Sequence, residues 1–372
     1  MRNSQSEIAA LQACVRNRLD PTVLGAKKIV GVIGDAPSLY SKSPALWNTV
    51  FQALELDIIY APLDVDENQL ADLLEVMRAS PRFLGANVTV PYKIRIISHL
   101  DDLEEKTRRI NAVNTVVRTV EGKLIGYNTD GEGFLASLLE TLPGQKKPFM
   151  QSLAGLDVLL IGAGGAARAV AFALGDVLSD GKLIICNRSR EAAKSLARDA
   201  QEAGAGATAI SETDIAVWAP RVGMIVNSSV KGQEGWRKVS DNKVTLLEPY
   251  SGLAAANPSA FPEADTGTPE FYRNWLRASL GDIESNNRTS LELACEIPSH
   301  VVFCDLIYAP PETVFLRHGR YSGHRTLNGK GMIIAQAAQA LFHRIARQTL
   351  ERSGRYAPKV YQHVLEVMFA AW

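Results

Sequence analysis

Residues 158–170 read VLLIGAGGAARAV, an apolar run that enters a glycine-rich turn and continues as small residues of helical character. Glycines permit a tight turn and a close approach of the backbone to a ligand, and the helix start behind them presents free N–H groups. A strand, turn and helix of this kind, with Ala167 in the third small position, is typical of a Rossmann-type dinucleotide-binding unit. A tight turn without a ligand would use the same residues, so the turn alone leaves both interpretations open.

The next strand favours the dinucleotide-binding interpretation of the glycine turn. It reads KLIIC and ends in Asn187, Arg188, Ser189 and Arg190, where an NAD-binding unit usually carries an acidic residue for the ribose 2′-hydroxyl. Two guanidinium groups and a hydroxyl suit a 2′-phosphate instead, because arginine offers paired donors and stacks on adenine. We therefore expect NADP as cofactor, with NAD as the alternative. Solvated charges at a strand end are the other interpretation of the two arginines.

The remainder of the chain alternates strands and helices, which predicts an α/β protein with mostly parallel sheets. Its 372 residues exceed what one core usually holds, so two domains are expected. We predict an α/β substrate-binding domain over 1–145, a Rossmann-type domain over 146–325, and C-terminal helices over 326–372 that pack back on the first domain. An insert near 232–300, rich in Gly, Pro, Ser and Asn, has weak periodicity and is predicted to be a surface excursion.

Composition narrows the class of partner. Forty Lys and Arg residues balance forty Asp and Glu residues, so no overall field would draw the chain to nucleic acid or to an anionic membrane. The four cysteines are scattered, which suits reduced thiols in a cytoplasmic protein, and the start of the chain has no apolar core typical of a signal peptide. The six histidines show no metal-ligand spacing, so no metal is expected, and His318 and His324 are predicted to be solvated.

Polar residues collect at the ends of strands in the first half. In FLGANVTVPYK, residues 83–93, Asn87 and Thr89 share one face of a strand, while Val88 and Val90 are predicted to point into the core. Lys93 follows at the C-terminal end, where open α/β sheets usually place their sites. A solvated strand end is the plain alternative.

Two further segments carry similar groups. Ser41 and Ser43 precede a helix that has Pro44 at its first position, so Ser43 is predicted to be the N-cap, and the two hydroxyls could also hold a carboxylate. The segments AVNTV and YNTDGEG supply Asn114 and Asp130 at the ends of strands. For their neighbours Asn128 and Thr129, turn formation is the favoured role.

Taken in order, these motifs resemble the shikimate/quinate dehydrogenase family. The resemblance covers roughly residues 28–345 and rests on Ser-x-Ser-Pro, NVTVPYK, AVNT, NTDG, GAGGA, NRS and NGKGMIIAQAAQA. It implies that Lys93 and Asp130 form a catalytic acid/base pair. The substrate ligands that it implies are Ser41, Ser43, Asn87, Thr89, Asn114, Tyr308 and Gln336. The cofactor contacts that it implies are Gly162, Ala163, Gly164, Gly165, Ala166, Asn187, Arg188, Ser189, Arg190, Asn227, Gly329 and Met332.

The resemblance implies an NADP-dependent oxidoreductase that interconverts shikimate and 3-dehydroshikimate, a polyhydroxylated ring carboxylate and its ketone. Such an enzyme would be cytoplasmic, monomeric or homodimeric, and part of aromatic amino acid biosynthesis. The alternatives are an NAD-dependent quinate dehydrogenase and a catalytically silent binder of either acid. Three departures from the family pattern bear on this choice: Tyr40 and Trp47 stand where histidines are common, NSSVKG replaces the usual run near nicotinamide, and the insert is longer than expected.

Overall fold

The computed structural model describes residues 2–240 and 242–372 and divides into two compact units. The first unit comprises Met1–Gln151 and Gly331–Trp372, and the second comprises Ser152–Lys330. Both are α/β structures, with a mixed sheet in the first unit and a parallel six-stranded sheet in the second, so the predicted fold class is confirmed. Among the described helices, none has both the length and the apolar character that a membrane crossing requires.

The first unit is built on a mixed sheet. Its strands are β1 (Lys28–Gly34), β2 (Ile58–Asp64), β3 (Phe83–Val88), β4 (Asp102–Leu103), β5 (Thr115–Arg118) and β6 (Leu124–Tyr127). They lie in the order β2-β1-β3-β5-β6-β4, with β1 parallel to β2 and β3, and β5 antiparallel to β3 and β6. β1 is nearly all apolar because both of its faces are covered.

Helices cover the two faces of this sheet. They are α1 (Arg2–Ala13), α2 (Pro21–Leu24), α3 (Pro37–Tyr40), α4 (Ser43–Ala53), α5 (Leu70–Ala79), α6 (Glu105–Ile110) and α7 (Asp130–Leu139). One apolar cluster joins α1 and α5 to the sheet through Leu11, Leu73 and Ile33. A second cluster lies on the opposite face, where Trp47 and Val50 of α4 pack against Val30.

The second unit has the doubly wound strand order. Its strands are β7 (Val158–Ile161), β8 (Lys182–Cys186), β9 (Gly206–Ile210), β10 (Met224–Asn227), β11 (Trp236–Ser240), β12 (Lys243–Leu246), β13 (Phe261–Pro262), β14 (Val302–Asp305) and β15 (Thr326–Leu327). Six of them form a parallel sheet in the order β15-β14-β10-β7-β8-β9. This is the Rossmann order, and the direction of winding reverses between β7 and β10, where such folds bind their ligands.

The helices of this unit are α8 (Gly165–Gly175), α9 (Arg190–Glu202), α10 (Ile215–Trp218), α11 (Phe271–Glu296) and α12 (Val314–Tyr321). The surface excursion predicted near 232–300 has regular secondary structure that its weak periodicity did not indicate. The segment folds into the antiparallel sheet β11-β12-β13 and the 26-residue helix α11, around a core that includes Val244, Tyr250 and Trp275.

The chain then returns to the first unit as helices. α13 (Lys330–Gln339) passes into a π-helical segment, Ala340–Ile345, followed by α14 (Arg347–Arg352) and α15 (Pro358–Ala371). Ile334, Leu341 and Met368 join the apolar cluster of α4. The prediction that the C-terminal helices pack back on the first unit is therefore confirmed.

Two predictions of solvent exposure and core packing are wrong. Val90 is 47% exposed because β3 ends at Val88, so the alternation does not continue past the strand. His318 and His324 are buried: His318 Nδ1 lies 2.8 Å from Ser290 Oγ, and the ring of His324 lies between two backbone carbonyls. Burial lowers the pKa of His318, which favours the neutral ring.

Candidate active site

Lys93 and Asp130 meet beyond the C-terminal ends of strands in the first unit. Lys93 follows β3, and Asp130 is the first residue of α7, just after β6. Lys93 Nζ lies 2.5 Å from Asp130 Oδ2, with the lysine side chain 18% exposed and the aspartate 5% exposed. The carboxylate is thus buried with a cation beside it, while the lysine keeps access to the surface.

The second oxygen of Asp130 is held separately. Asn114 Nδ2 donates to Asp130 Oδ1 at 2.8 Å, and Asn114 Oδ1 accepts from the Thr129 N–H at 2.9 Å. The Asp130 N–H donates to Asn128 Oδ1 at 3.0 Å, which is the turn role favoured from the sequence. The carboxylate is therefore fixed in orientation, with one oxygen for Asn114 and the other for Lys93.

Gln336 brings α13 to this network. Its Oε1 accepts from Asn114 Nδ2 at 3.1 Å, and its backbone carbonyl accepts from the Thr129 hydroxyl at 3.1 Å. The helices approach closely at Gly133, where a Cβ would lie 2.7 Å from the Gln336 nitrogen and from the Met332 carbonyl oxygen. A side chain at residue 133 would push α13 away from α7. Met332 itself is buried in α13.

Asn87 extends the network along β3. Its Nδ2 donates to Thr115 Oγ1 at 3.1 Å, and its Oδ1 accepts from the Tyr60 hydroxyl at 2.8 Å. Thr115 in turn donates to Asn114 Oδ1 at 2.9 Å. A continuous path of hydrogen bonds thus joins Tyr60 to Asp130. Thr89 is half-buried beside Asn87, and a Cβ on Gly34 would lie 2.5 Å from its methyl group.

Sequence reasoning missed Tyr60. In IIYAPLD it looks like an ordinary strand residue, and the available signal was general: a buried tyrosine hydroxyl usually finds a polar partner. Burial raises the pKa of Tyr60, against a smaller lowering from a hydrogen bond with Ser43. The ring lies 4.8 Å from that of Trp47, between centroids, in the packed interior.

The start of α4 differs from the prediction for Ser43. α4 begins at Ser43, its N-cap is Lys42, and no side chain makes a cap hydrogen bond there. Ser41 Oγ instead accepts from the Ser43 N–H at 3.3 Å. The prediction that Ser43 caps the helix is therefore wrong, because the chain turns one residue earlier. This leaves the Ser43 hydroxyl near Tyr60.

The second unit has a cavity of about 340 Å³ at the glycine turn, lined in part by Gly162, Ala163, Gly164, Asn187 and Arg188. Gly162 has φ +126°, and a Cβ there would lie 2.9 Å from the Ser228 carbonyl oxygen, so only glycine fits. At Gly164 a Cβ would meet no atom within 4 Å. Gly165 and Ala166 begin α8, whose start has no side-chain cap, so its N–H groups are available to a phosphate. The residues present fit a dinucleotide.

Four residues after β8 have separate roles. Arg188 is exposed and lines the cavity. Ser189 caps α9 by accepting from the Ala192 N–H at 3.3 Å, and Asn187 Nδ2 donates to the Ser189 carbonyl at 3.1 Å. Arg190 is exposed in the first turn of α9 and is absent from the described lining of the cavity.

The carboxylate described in the cavity wall is already paired. Glu212 Oε1 lies 2.6 Å from Lys231 Nζ, and Lys231 is itself buried. A ribose 2′-hydroxyl would therefore compete with a lysine for this acid, whereas a 2′-phosphate would find Arg188. The arrangement favours NADP over NAD.

Asn227 and Asp305 lie at the ends of the adjacent strands β10 and β14. Asn227 Nδ2 donates to the Lys231 carbonyl at 3.0 Å and to Asp305 Oδ1 at 3.1 Å, and Asn227 Oδ1 accepts from the Ser229 hydroxyl at 2.7 Å. Asn227 is fully buried, so it shapes the loop that lines the cavity. Burial raises the pKa of Asp305 to about 7, although hydrogen bonds from Thr313 and others oppose the rise.

Tyr308 and Gly329 lie in the second unit. Tyr308 is half-buried, and burial raises the pKa of its hydroxyl. The Gly329 N–H donates to the Ile307 carbonyl at 3.0 Å, and a Cβ on Gly329 would lie 2.0 Å from the Leu306 carbonyl oxygen. Gly329 thus permits a close crossing of two backbone segments. Over residues 2–240 and 242–372, no group of three or more His, Cys, Asp or Glu side chains converges as metal ligands would.

Known proteins are similar to this chain along most of its length. A family model described as the shikimate dehydrogenase substrate binding domain matches residues 32–116. The chain is 34% identical over 317 residues to a shikimate dehydrogenase (NADP(+)) of Carboxydothermus hydrogenoformans, covering 85% of this chain and 91% of that one. It is 35% identical over 319 residues to the enzyme of the same name from Symbiobacterium thermophilum, covering 86% and 89%. Shikimate 5-dehydrogenase from Thermus thermophilus, solved with NADP(H) and shikimate, superposes with a TM-score of 0.60 at 27% identity, covering 91% and 99%.

Proposed function

Because the chain belongs to the shikimate dehydrogenase family, we propose that it interconverts shikimate and 3-dehydroshikimate with NADP as cofactor. The observation that carries this proposal is the Lys93–Asp130 contact, in which a partly accessible amine is held by a buried, fully oriented carboxylate. It supports acid/base chemistry at a hydroxyl group, which this reaction requires.

Lys93 is the group proposed to move the proton. In oxidation its amine takes the proton of the ring hydroxyl, and in reduction its ammonium returns a proton to the oxygen of the forming alcohol. Asp130 accepts a hydrogen bond from Nζ and keeps the amine in one position, while Asn114 prevents the carboxylate from turning. When bound, the oxidised cofactor NADP⁺ would accept the hydride in the oxidation, and the reduced cofactor NADPH would donate it in the reduction.

The remaining polar groups of the first unit are proposed to hold the substrate. The proposed ligands for ring hydroxyls are Asn87, Thr89, Asn114 and Gln336, and Ser41 and Ser43 receive the carboxylate. Asn87 lies on β3 and Ser43 at the start of α4, elements that hold such groups in precise positions. Tyr308 is proposed as a further substrate ligand, and Met332 and Gly329 as neighbours of the nicotinamide.

The second unit is proposed to bind NADP at the glycine turn. Gly162, Ala163, Gly164, Gly165 and Ala166 would receive the pyrophosphate, and Arg188 the 2′-phosphate. Asn187, Ser189 and Arg190 complete the proposed adenosine side, and Asn227 acts through the loop it holds. A cytoplasmic location is supported by four free thiols, three of them buried.

The proposal is tested by incubating the purified chain with shikimate or quinate and with NADP or NAD, while nicotinamide reduction is followed by absorbance. We expect the highest kcat/KM for shikimate with NADP. Preference for quinate with NAD would establish the alternative dehydrogenase. No reduction with any pair, together with measurable binding of shikimate, would mean that the chain is a silent binder.

A further inference from the structure

The insert forms part of the wall of the dinucleotide cavity. Its residues Arg237, Lys238 and Val239 line the cavity together with the glycine turn and Arg188. They belong to β11, a strand outside the Rossmann sheet. One wall of the cavity therefore comes from the insert and not from the glycine turn, and this wall carries two cationic side chains.

β11 presents three consecutive residues, Arg237, Lys238 and Val239, to the cavity. Its pairing with β12 shifts register between Lys238 and Ser240, which interrupts the alternation of side chains at Val239. β11 pairs with β12 on one side only, because it is the outer strand of the order β11-β12-β13. Such an edge offers backbone N–H groups as well as the flanking side chains.

The cations on this edge can exchange their present partners. Lys238 Nζ lies 3.1 Å from Glu263 Oε1, but these side chains are 56% and 31% exposed, so the pair contributes little to stability. Arg237 donates to the Glu234 carbonyl at 3.4 Å, which is a long contact. A phosphate would be a stronger partner for either residue.

The insert is also firmly attached beside the cavity. Lys231, in the loop after β10, donates to the Ala254 carbonyl of the insert at 2.7 Å while it pairs with Glu212. Asn286 of α11 donates to the Ala254 and Ala255 carbonyls at 3.1 and 2.9 Å. Trp236 of β11 packs against the apolar core of the insert, which attaches the strand to it.

We propose that β11 is a phosphate-binding wall of the dinucleotide cavity, in which Arg237 and Lys238 hold phosphate groups of the cofactor in addition to the glycine turn and Arg188. This inference rests on the proposed use of NADP. It assigns to the insert a role in cofactor affinity.

The test uses isothermal titration calorimetry of NADP with the full-length protein, so it does not depend on turnover. Val239 is 48% exposed and lines the cavity, so Val239→Asp adds a negative charge without removing a packed side chain. We expect Val239→Asp to bind NADP about tenfold or more weakly than Val239→Asn, which has nearly the same shape without the charge. Adenosine, which has no phosphate, should bind both variants equally.

Loss of the native cations gives an independent result. Arg237→Gln combined with Lys238→Gln should weaken NADP by about 10- to 100-fold, and Arg237→Lys should retain most of the affinity. Lys243→Gln is the matched control, because Lys243 is an exposed lysine of β12 outside the described lining. NADP dissociation constants within about twofold of the controls, in either experiment, would overturn the proposed wall. A wild-type chain that binds no NADP would instead overturn the proposed function.

Discussion

Tyr60 links the residues proposed to bind the carboxylate with those proposed to bind the ring. Its hydroxyl donates to Asn87 Oδ1 at 2.8 Å and is close to Ser43. Asn87 is buried, so the loss of the Tyr60 hydroxyl would leave Asn87 Oδ1 without this donor in the interior, with Nδ2 still held by Thr115. The position of a proposed substrate ligand thus depends on a residue deeper in the sheet.

Tyr60→Phe should therefore raise the KM for shikimate several-fold and lower the free energy of unfolding by about 1–3 kcal/mol, because it leaves a buried acceptor unpaired. Tyr92→Phe is the control: it removes a buried hydroxyl that donates to the Val65 carbonyl at 2.7 Å in the same unit. Steady-state kinetics and urea unfolding of both variants give the comparison. Equal KM values for Tyr60→Phe and Tyr92→Phe would remove Tyr60 from the binding site.

Arg188 is the residue on which the choice between cofactors depends. Arg188→Ala should weaken NADP by about 2–3 kcal/mol, through loss of a charge-assisted contact, and should change NAD affinity much less. Arg198→Ala is the matched control, since Arg198 is an exposed arginine of α9 outside the described lining. Calorimetric dissociation constants for both nucleotides would decide. Equal weakening of NADP and NAD would mean that Arg188 does not recognise the 2′-phosphate.

Two strands and a helix of the second unit are joined by one carboxylate. Asp305, at the end of β14, accepts from Asn227 at the end of β10 and from the hydroxyl of Thr313, the N-cap of α12, at 2.6 Å. Burial raises the pKa of Asp305 to about 7 from its ordinary value near 3.8. The neutral acid is therefore the form that the folded state prefers.

This shift has a defined sign for stability. Between about pH 4 and pH 7 the unfolded chain ionises Asp305 while the folded chain keeps it protonated, so the stability it contributes is lost as pH rises through that window. The free energy of unfolding of the wild type, relative to that of Asp305→Asn, should fall by a few kcal/mol from pH 4 to pH 7. Urea unfolding of both proteins across this range measures it. If the free energies of unfolding of the two proteins changed in parallel with pH, or if the wild type became more stable relative to Asp305→Asn as pH rises, the raised pKa of Asp305 would be contradicted.

The helices and strands that could be predicted from the sequence are those whose sequence pattern lies within the element itself. The strand, glycine turn and helix over 158–175 need no distant partner to be recognised, and the same holds for β1. α11 was missed because the face it buries includes Ser279, Asn286 and Ser290, so the apolar periodicity is interrupted. These polar side chains are satisfied by contacts with residues 251–259 and with His318, and a single sequence does not reveal such contacts.

The same reasoning applies to the candidate site. Lys93 and Asp130 belong to motifs with a known order, so they could be named in advance. Tyr60 carries no motif, and the residues of β11 depend on how the insert folds. Their proposed roles follow from three-dimensional neighbours alone.

The whole molecule divides the proposed chemistry between its units. Apart from Tyr308, the groups proposed to bind and deprotonate the substrate lie in the first unit, and the glycine turn and β11 lie in the second. Each unit has its own apolar cores. Net charge is zero, so affinity for the acid and the nucleotide must come from these local groups.

The most direct test is the turnover number of Lys93→Ala with shikimate and NADP, measured beside the wild type and beside Lys123→Ala, which removes an exposed lysine of the same unit. Shikimate binding to each protein is measured by calorimetry. We expect rapid turnover by the wild type and by Lys123→Ala, and a kcat about 10²-fold or more lower for Lys93→Ala, with shikimate still bound. Turnover by Lys93→Ala close to that of the wild type would contradict the proposed mechanism.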